Sequence, residues 1–368
     1  MEYAGELAGF CYRNRITAGQ AERKVGPSTR KPDLDNANVG SRRNILSVPE
    51  ENSRYAEKRK AAKRAAFRFC FFRKFRTLPG CCKFYFKGDD TMQNTVLGKM
   101  LENVREQVPL VHNITNYVTV NDVANALLAC GASPIMSDEP NDVEDITSIC
   151  GGLNINIGTL NQRSIEGMFL AGKKAAEWKH PILLDPVGAG ASKLRTETAL
   201  KLMKELPLSA IRGNISEIKT LALGSSTTKG VDANLADAVT EENLDSMVAF
   251  AKEFASQTGA VIAITGAIDL VADAGQCYVI RNGRPEMSRI TGTGCQLSGV
   301  MTAFLTANPG NHLDAAAAAV CMMGYAGEIG YAAMRPGEGN STYRNRIIDA
   351  IYNMSADILN KGAKYELR

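Results

Sequence analysis

The pattern of apolar and polar positions becomes regular near residue 92 of this 368-residue chain. From there on, segments with apolar residues at helical spacing, such as TVLGKMLENVREQ, alternate with short apolar runs, such as PILLDPVG. Apolar spacing of three or four residues predicts amphipathic helices, and short runs bounded by turn residues predict buried strands. This alternation predicts an α/β fold, in which helices cover both faces of a mostly parallel central sheet in three α/β/α layers.

Local signals place the ends of several predicted elements. Gly131 follows NYVTVNDVANALLAC and is typical of a helix end, and Asn161 precedes QRSIEGMFLAGKKAAEW as a helix cap. The alternation changes after residue 267, where IDLVADAGQCYVIRNGRPEMSRITG predicts antiparallel strands. Asn282-Gly283 in this segment predicts a hairpin turn.

Residues 1–91 do not show this pattern. They contain 20 Lys and Arg against 10 Asp and Glu, together with clustered phenylalanines and polar, turn-rich stretches. We interpret them as a disordered basic extension, and the domain as residues 92–368. The alternative of a targeting or membrane-surface segment is opposed by the acidic residues, which transit peptides lack.

A third interpretation is that residues 1–91 are an untranslated leader. KGDDTM, which ends at Met92, can be back-translated to AAAGGAGATGATACNATG, with the purine-rich AAGGAG just before an ATG. This resembles a bacterial ribosome-binding site, so Met92 is a candidate native start. Codons that do not spell such a leader, or residues before Met92 in native protein, would refute the hypothesis.

Composition sets the broad class of protein. Apolar residues make up 45% and charged residues 22%, as in ordinary soluble proteins. No apolar run has the roughly 18 residues of a membrane span, and no secretory signal is visible. The nine cysteines, an odd number without CxxC spacing, favour a reducing cytoplasmic location. Because the basic excess is confined to residues 1–91, the charge gives no indication of nucleic-acid binding by the domain.

The stretch RITGTGCQLSGVMTAFL, residues 289–305, predicts a helix that starts close to glycines. Apolar residues at i, i+3, i+4, i+7 and i+8 from Leu297 form its buried face, so it begins near Gly294 and Cys295. Free N–H groups and the positive helix dipole make this start an anion site, unless it is only a glycine turn before a core helix. The spacing GxGxxxxG is not that of the dinucleotide fingerprint, and the chain has no P-loop sequence.

Other predicted strands also end in polar side chains. Asp185 ends ILLD, where a carboxylate could bind Mg²⁺ or cap the next turn. In RGNISE, Arg212 could bind phosphate oxygens, while Glu217 could orient hydrated Mg²⁺ or form a capping box with Asn214. The Thr265 hydroxyl ends another strand and could contact a nucleotide phosphate. Because parallel strands end at one edge of a sheet, together these groups predict phosphoryl transfer from a Mg-nucleotide.

These segments resemble the hydroxyethylthiazole kinase family of the ribokinase-like superfamily. The matches follow the family's order over residues 92–368: VHNITNYVTVNDVANALLACGASPIMS, INIGTLN, LLDPVGAGAS, IRGNISEI, ITGAIDLV and TGTGCQLSG. The first segment and TGTGC are the most specific. The resemblance implies ATP-dependent phosphorylation, with Mg²⁺, of the hydroxyl of 4-methyl-5-(2-hydroxyethyl)thiazole in thiamine diphosphate biosynthesis or salvage. It also implies a homotrimer with active sites between subunits.

The resemblance assigns roles to individual residues by their place in these segments. The backbone of Met136 would meet the thiazole, with Gly292 as a second contact and Asn116 lining the pocket. The remaining matches are Arg212 and Thr265 for ATP, Asp185 and Glu217 for Mg²⁺, and Cys295 at the superfamily's catalytic-base position.

Cys295 is unusual because many related kinases have an aspartate at this position. Backbone N–H groups at a helix start can lower the pKa of a thiol below about 8.5, whereas the negative charge of bound ATP acts in the opposite direction. We interpret Cys295 as a weak base or hydroxyl-positioning group, with the loop N–H groups and Mg²⁺ supplying most of the acceleration. The alternative is a small buried residue that fills space beneath the loop.

Other functions remain open from the sequence. A hydroxymethylpyrimidine-type kinase has the same fold, but the Cys in place of Asp argues against it. A nucleotide-dependent dehydratase of this fold would not form a thiazole phosphate. A non-catalytic ligand-binding protein is opposed by the presence of Asp185, Glu217 and Arg212 together.

Overall fold

A computed structural model describes residues 96–224 and 238–368. The predicted extension 1–91 and the candidate start at Met92 lie outside the described residues. The helices are α1 Val96–Gln107, α2 Val120–Cys130, α3 Val143–Ile149, α4 Gln162–Glu177, α5 Lys193–Glu205, α6 Ile215–Gly224, α7 Leu244–Thr258, α8 Thr293–Ala307, α9 His312–Ala332, α10 Asn340–Asn353 and α11 Ala356–Gly362. The strands are β1 Leu110–Ile114, β2 Ser133–Met136, β3 Gly152–Asn156, β4 Ile182–Asp185, β5 Ala210–Asn214, β6 Val261–Thr265, β7 Asp269–Ala272, β8 Cys277–Ile280 and β9 Tyr365–Leu367.

The strands form one sheet in the order β2-β1-β3-β4-β5-β6-β7-β8-β9. The six strands from β2 to β6 in this order pair in parallel, and β7, β8 and β9 pair antiparallel. Parallel strands require helical crossovers, which is why the helix–strand alternation appears in the sequence up to residue 267. The predicted α/β class with a mostly parallel sheet is confirmed.

Successive strand residues point into different cores. In β4, Leu183 belongs to the core beneath α1, α2 and α8–α11, while Ile182 and Leu184 belong to the core beneath α3–α7. β6 follows the same rule, with Ala263 in the first core and its neighbours Ile262 and Ile264 in the second. This period of two produces the three layers, because each strand buries apolar side chains on both faces.

A polar row interrupts the first core beneath α8. Asn154 and Asn156 of β3 alternate with Leu153 and Ile155, which face the second core, so both asparagines face α8. Asn113 of β1 and Asp185 of β4 complete the row, and all are buried. Helix α8 approaches the sheet closely, since a Cβ added at Gly299 would come within 3.4 Å of Asn113 Oδ1 in β1. The amino-terminal turn of α8 and the end of β4 are thereby brought together.

Two of the predicted helix ends are confirmed. Gly131 adopts φ +103° at the end of α2, a conformation that glycine tolerates best. The Asn161 side chain accepts a hydrogen bond from the Ser164 N–H at the start of α4, and Ser164 Oγ accepts one from the Asn161 N–H. This is a capping box built with serine in place of glutamate.

The predicted hairpin turn at Asn282-Gly283 is wrong. The turn between β7 and β8 uses Asp273, whose Oδ1 accepts the N–H groups of Gly275 and Gln276 at 2.7 Å. Asn282 is instead buried and donates to Glu328 and to the Gly362 carbonyl. An aspartate-centred turn supplies the same backbone reversal as Asn-Gly, and the sequence pattern did not distinguish between them.

None of the helices in residues 96–224 and 238–368 combines the length and apolar character needed to cross a membrane.

Candidate active site

The turn before α8 needs glycine for two reasons. Gly292 caps the helix with φ +83°, in the left-handed region, and a Cβ at this position would overlap the Thr119 side chain. Thr119 in turn donates to Asn116 Oδ1 at 3.0 Å. The predicted helix start near Gly294 is confirmed, because α8 begins at Thr293. The start of α8 is therefore packed directly on the β1–α2 loop that carries Asn116.

Cys295 lies in the first turn of α8, between two side-chain amides. The Nδ2 group of Asn116 donates to its sulfur at 3.1 Å, and that of Asn156 does so at 3.2 Å. The residue is only 8% exposed. The thiol is thus held beneath the loop with its sulfur serving as a hydrogen-bond acceptor.

Burial raises the pKa of the Cys295 thiol, and the nearby Asp185 carboxylate raises it further, while the amide donors act in the opposite direction. The sequence analysis left open whether the helix start or negative charge decides this pKa, and in the structure burial has the largest effect. The thiol lies beneath the turn, so loss of hydration outweighs the backbone N–H groups. At neutral pH the group is a neutral thiol, which argues for positioning the hydroxyl rather than for strong base catalysis.

Asp185 is completely buried at the end of β4. Its Oδ2 accepts from Ser298 Oγ at 2.7 Å and from Asn156 Nδ2 at 2.8 Å, and lies 3.6 Å from Arg212 Nη1. Burial raises its pKa to about 6, although Arg212 and the hydrogen bonds lower it. The alternative that Asp185 caps the next turn is wrong, since its partners come from β3, β5 and α8.

Arg212 links the carboxylate to the turn before α8. Its side chain, 12% exposed, donates from Nη2 to Thr265 Oγ1 at 2.6 Å. A Cβ added at Gly294 would come within 2.6 Å of the guanidinium, so Arg212 lies directly against this glycine. Two predicted ATP residues and the predicted anion site are therefore in contact.

Glu217 has a capping role at the start of α6. Its Oε2 accepts the Asn214 N–H at 2.8 Å, while Asn214 Oδ1 accepts the Glu217 N–H at 2.9 Å. The capping box is thus confirmed. Its Oε1 also accepts the Gly188 N–H at 2.8 Å and so ties the β4–α5 loop to α6. The Glu217 charge is close enough to raise the pKa of Asp185.

A cavity of about 550 Å³ opens beside these groups. Its polar lining includes Arg212, Thr265 and Gly294, and its apolar lining includes Leu297, Val320 and Met323. A charged region next to an apolar slot is the arrangement that a nucleotide requires, with phosphates at the arginine and helix start and a base among aliphatic side chains.

Known proteins resemble the chain over most of its length. A sequence model of the hydroxyethylthiazole kinase family matches residues 101–357. A hydroxyethylthiazole kinase from Clostridium acetobutylicum is 59% identical over 271 residues, which cover 74% of this chain and 99% of that protein. The chain belongs to the hydroxyethylthiazole kinase family.

Further relatives support the fold and the family. A hydroxyethylthiazole kinase from Ruminiclostridium cellulolyticum is 46% identical over 266 residues, 72% of this chain and 95% of that protein. The solved structure of hydroxyethylthiazole kinase from Pyrococcus horikoshii OT3 superposes with a TM-score of 0.65 at 33% identity, covering 74% of this chain and 98% of the other. The ribokinase-like fold class inferred from the sequence is confirmed.

The structure gathers most of the predicted site residues of this family member. Asn116, Cys295 and Asp185 are connected through Asn156, and Arg212 joins Asp185 to Thr265. Met136 lies farther along the same edge of the sheet, half-buried at the end of β2, where it pairs in register with Asn113 of β1. Met136 packs against the same apolar core as Cys295.

Sequence reasoning missed two residues that touch Asp185. Asn156 could have been found from LNINIG, because polar residues at every second position of a strand covered on both faces predict a buried polar row. Ser298 lies one turn after Gly294 and donates to Asp185, yet it lies within an otherwise apolar helix. Nothing in the helical pattern distinguished it from a core position.

Substituting Gly294 with alanine should weaken nucleotide binding. The new Cβ would come within 2.6 Å of the Arg212 guanidinium and displace it. We expect the KM for ATP to rise about tenfold, the loss of one charge-assisted contact, as measured by steady-state kinetics. Gly339→Ala is the matched control, because a Cβ at this exposed helix start meets nothing within 4 Å. Equal kinetics for the two variants would show that the Arg212–Gly294 contact is irrelevant.

Substituting Cys295 with aspartate should preserve or increase turnover. A carboxylate accepts the two amide N–H bonds that the sulfur accepts now, and the nearby Asp185 keeps its pKa high enough for it to act as a base. Cys295→Ala removes the acceptor, so we expect kcat to fall about tenfold or more, with the KM for ATP unchanged. A Cys295→Asp protein that is folded by circular dichroism yet inactive would contradict this role.

Proposed function

We propose that this protein transfers the γ-phosphate of ATP to the hydroxyl of 4-methyl-5-(2-hydroxyethyl)thiazole, in thiamine diphosphate biosynthesis or salvage. The observation that carries the proposal is the contact between Arg212, Gly294 and Thr265 at the mouth of a nucleotide-sized cavity, with Asp185 at 3.6 Å from Arg212. Phosphoryl transfer depends mainly on positioning and on stabilising charge, and this arrangement serves both.

The roles follow from position relative to the start of α8. Arg212 and Thr265 bind the ATP phosphates on the cavity side, where the guanidinium balances charge that develops on the transferred group. The thiazole binds on the other side of the turn, against Gly292, Asn116 and the backbone of Met136. Cys295 lies between the two sides and orients the attacking hydroxyl, which a neutral thiol can do without removing its proton.

We propose Mg²⁺ as the cofactor, and the residues present fit this ion. Asp185 Oδ1 is buried without a hydrogen-bond partner, and Glu217 supplies a second carboxylate. No cluster of three or more His, Cys, Asp and Glu side chains suited to a metal occurs in residues 96–224 and 238–368. Mg²⁺ usually takes one or two carboxylates and completes its shell with water and substrate phosphates, for which such a cluster is not required. Bound there, the ion would neutralise charge on the phosphate oxygens.

We propose a homotrimer with active sites between subunits. Strand β2 lies at one edge of the sheet with all of its residues partly exposed. Three apolar residues of the β1–α2 loop and of α2 are also exposed: Tyr117 at 62%, Val118 at 66% and Leu128 at 57%. An open strand edge and exposed apolar side chains support association with another copy. Tyr117 and Val118 directly follow Asn116, so the contact would border the thiazole side of the site.

We further propose that the protein acts in the cytoplasm and that native translation starts at Met92, with residues 92–368 as the kinase domain. The odd cysteine count and the purine-rich codons available to KGDDTM support these proposals. We propose the thiazole alcohol and Mg-ATP as its ligands.

A substrate panel tests the function. ADP release is followed with Mg-ATP and, separately, the hydroxyethylthiazole alcohol and a hydroxymethylpyrimidine, with mass spectrometry of the products. We expect a thiazole monophosphate and at least a hundredfold preference in kcat/KM over the pyrimidine. Preferred phosphorylation of the pyrimidine, or no phosphorylated alcohol at all, would overturn the proposal.

A further inference from the structure

The orientation of the Asn156 side chain is fixed by one backbone group. Gly158 N–H donates to Asn156 Oδ1 at 2.9 Å. A backbone N–H can only donate, so the atom facing it must be the amide oxygen, and the NH₂ group must point the other way. That NH₂ group then faces Cys295 at 3.2 Å and Asp185 at 2.8 Å.

The orientation of the Asn156 amide also fixes the orientation of the Asn116 amide. Asn116 Nδ2 lies 3.1 Å from Asn156 Oδ1. Since Asn156 presents its oxygen, Asn116 must present its NH₂ group, which also faces the Cys295 sulfur at 3.1 Å. Both amides therefore direct N–H bonds at residue 295, and neither can accept the S–H proton.

Asn156 has no hydrogen-bonding capacity left over. Its oxygen accepts from Gly158 and Asn116, and its NH₂ group donates to Cys295 and Asp185. It is 1% exposed, so none of these bonds can be replaced by bulk water without a rearrangement. Fully satisfied buried networks of this kind hold their members in one arrangement.

We propose that Asn156 is a positioning residue of the kinase. Its NH₂ group donates to the side chain at position 295, so that this side chain must be a hydrogen-bond acceptor, and the same NH₂ group links position 295 to Asp185. This inference rests on the proposed kinase activity. Because Asn156 is buried and all four of its hydrogen-bonding positions are occupied, it would act through Cys295 and Asp185. The acceptor site also explains how either a thiol or a carboxylate can occupy position 295.

A double-mutant cycle tests this role. Asn156→Asp keeps the shape and the acceptor oxygen but removes both N–H donors. The introduced carboxyl group and Asp185 would then share one proton, so at most one of the two bonds is restored. We expect kcat to fall at least tenfold, with the KM for ATP within about twofold of the wild type. The fold of each variant is checked by circular dichroism and thermal unfolding.

The sign of the Cys295→Asp effect gives the decisive comparison. In the wild-type background this substitution is expected to leave kcat equal or higher. In the Asn156→Asp background it adds a third carboxylate where the donors have been removed, so kcat should fall at least a further tenfold. If Asn156 had only a structural role, the fold change in kcat of the double variant would equal the product of the two single-variant fold changes within about twofold.

Asn154→Asp is the matched control. Asn154 lies two residues earlier on the same face of β3 and donates to Asn113, whereas the amide donors to the Cys295 sulfur are Asn116 and Asn156. When Asn154→Asp is combined with Cys295→Asp, the fold change in kcat should equal the product of the two single-variant fold changes. If Asn156→Asp does not fold, Asn116→Asp is used instead, because Asn116 lies in a loop and is the other donor to the sulfur. In that background too, Cys295→Asp should lower kcat rather than keep or raise it.

The inference would be overturned if the fold changes in kcat of Asn156→Asp and Cys295→Asp simply multiplied in the double variant, or if Asn156→Asp kept the wild-type kcat. If Asn116→Asp is used in place of Asn156→Asp, simple multiplication with Cys295→Asp would overturn the inference as well. An inactive wild type overturns the proposed function together with the inference, whereas an active wild type with multiplicative effects overturns the inference alone.

Discussion

Replacing Arg212 with glutamine should lower kcat for thiazole phosphorylation by roughly three orders of magnitude, as expected when an arginine that stabilises phosphoryl transfer is removed. Glutamine could retain a hydrogen bond to Thr265, but it carries no charge to place against the start of α8 or beside Asp185. The variant should stay folded, because Asp185 has a raised pKa and can take up a proton once its cationic neighbour is gone. Steady-state kinetics with saturating Mg-ATP measures the effect.

Arg105→Gln is the control for the loss of a partly buried arginine. Arg105 donates to the carbonyls of Ile351 and Tyr352, at the end of α1 and away from the carboxyl edge of the sheet. We expect this variant to lose thermal stability and keep its kcat, which is the reverse of the Arg212→Gln pattern. If Arg212→Gln retained kcat within tenfold of the wild type, Arg212 would not stabilise the transferred phosphoryl group.

Substituting Asp185 with asparagine should reduce kcat about 10²- to 10³-fold while leaving thermal stability equal or higher. The amide can keep the bonds from Ser298 and Asn156 to its oxygen, yet it removes a charge that is costly to bury. A loss of activity that came with a large loss of stability would indicate that Asp185 supports the fold rather than the chemistry. Parallel kinetics and thermal unfolding separate the two outcomes.

The pH dependence of the wild type should report the same carboxylate. Burial raises the pKa of Asp185 to about 6, so kcat/KM should fall as the pH is lowered through 6 and the charge is lost. The unfolded chain has an Asp pKa of about 4, so the folded state binds this proton more tightly. The contribution of Asp185 to stability therefore rises as the pH falls from 6 to 4, opposite to activity. Asp185→Asn should lack this acid limb.

The sequence predicted the sheet and its carboxyl edge because these features depend on local patterns. ILLD and VIAIT are continuous apolar runs, and each ends in a polar residue that the parallel topology brings to one edge. Asp185, Arg212 and Thr265 could therefore be grouped by their places at or near the ends of predicted strands. The capping box of Asn214 and Glu217 was equally local and was predicted from its spacing alone.

What the sequence did not predict depends on contacts between distant elements. The pKa of Cys295 is raised because α8 packs closely on β3 and β4, a distance that no helical periodicity encodes. Asn156 connects residues from four separate segments, and its role is visible only when Gly158 fixes the orientation of its amide. The misplaced hairpin turn had a similar origin, since Asn282 is held by Glu328 and Gly362, far along the chain.

A crystal structure with Mg²⁺, a non-hydrolysable ATP analogue and the thiazole alcohol would show whether the start of α8 binds the phosphate that is transferred. We expect the γ-phosphate within hydrogen-bonding distance of the N–H groups that begin α8 and of the Arg212 guanidinium, with the alcohol hydroxyl facing it beside Cys295. A triphosphate bound elsewhere, with the turn at residues 292–295 contacting neither ligand, would contradict it.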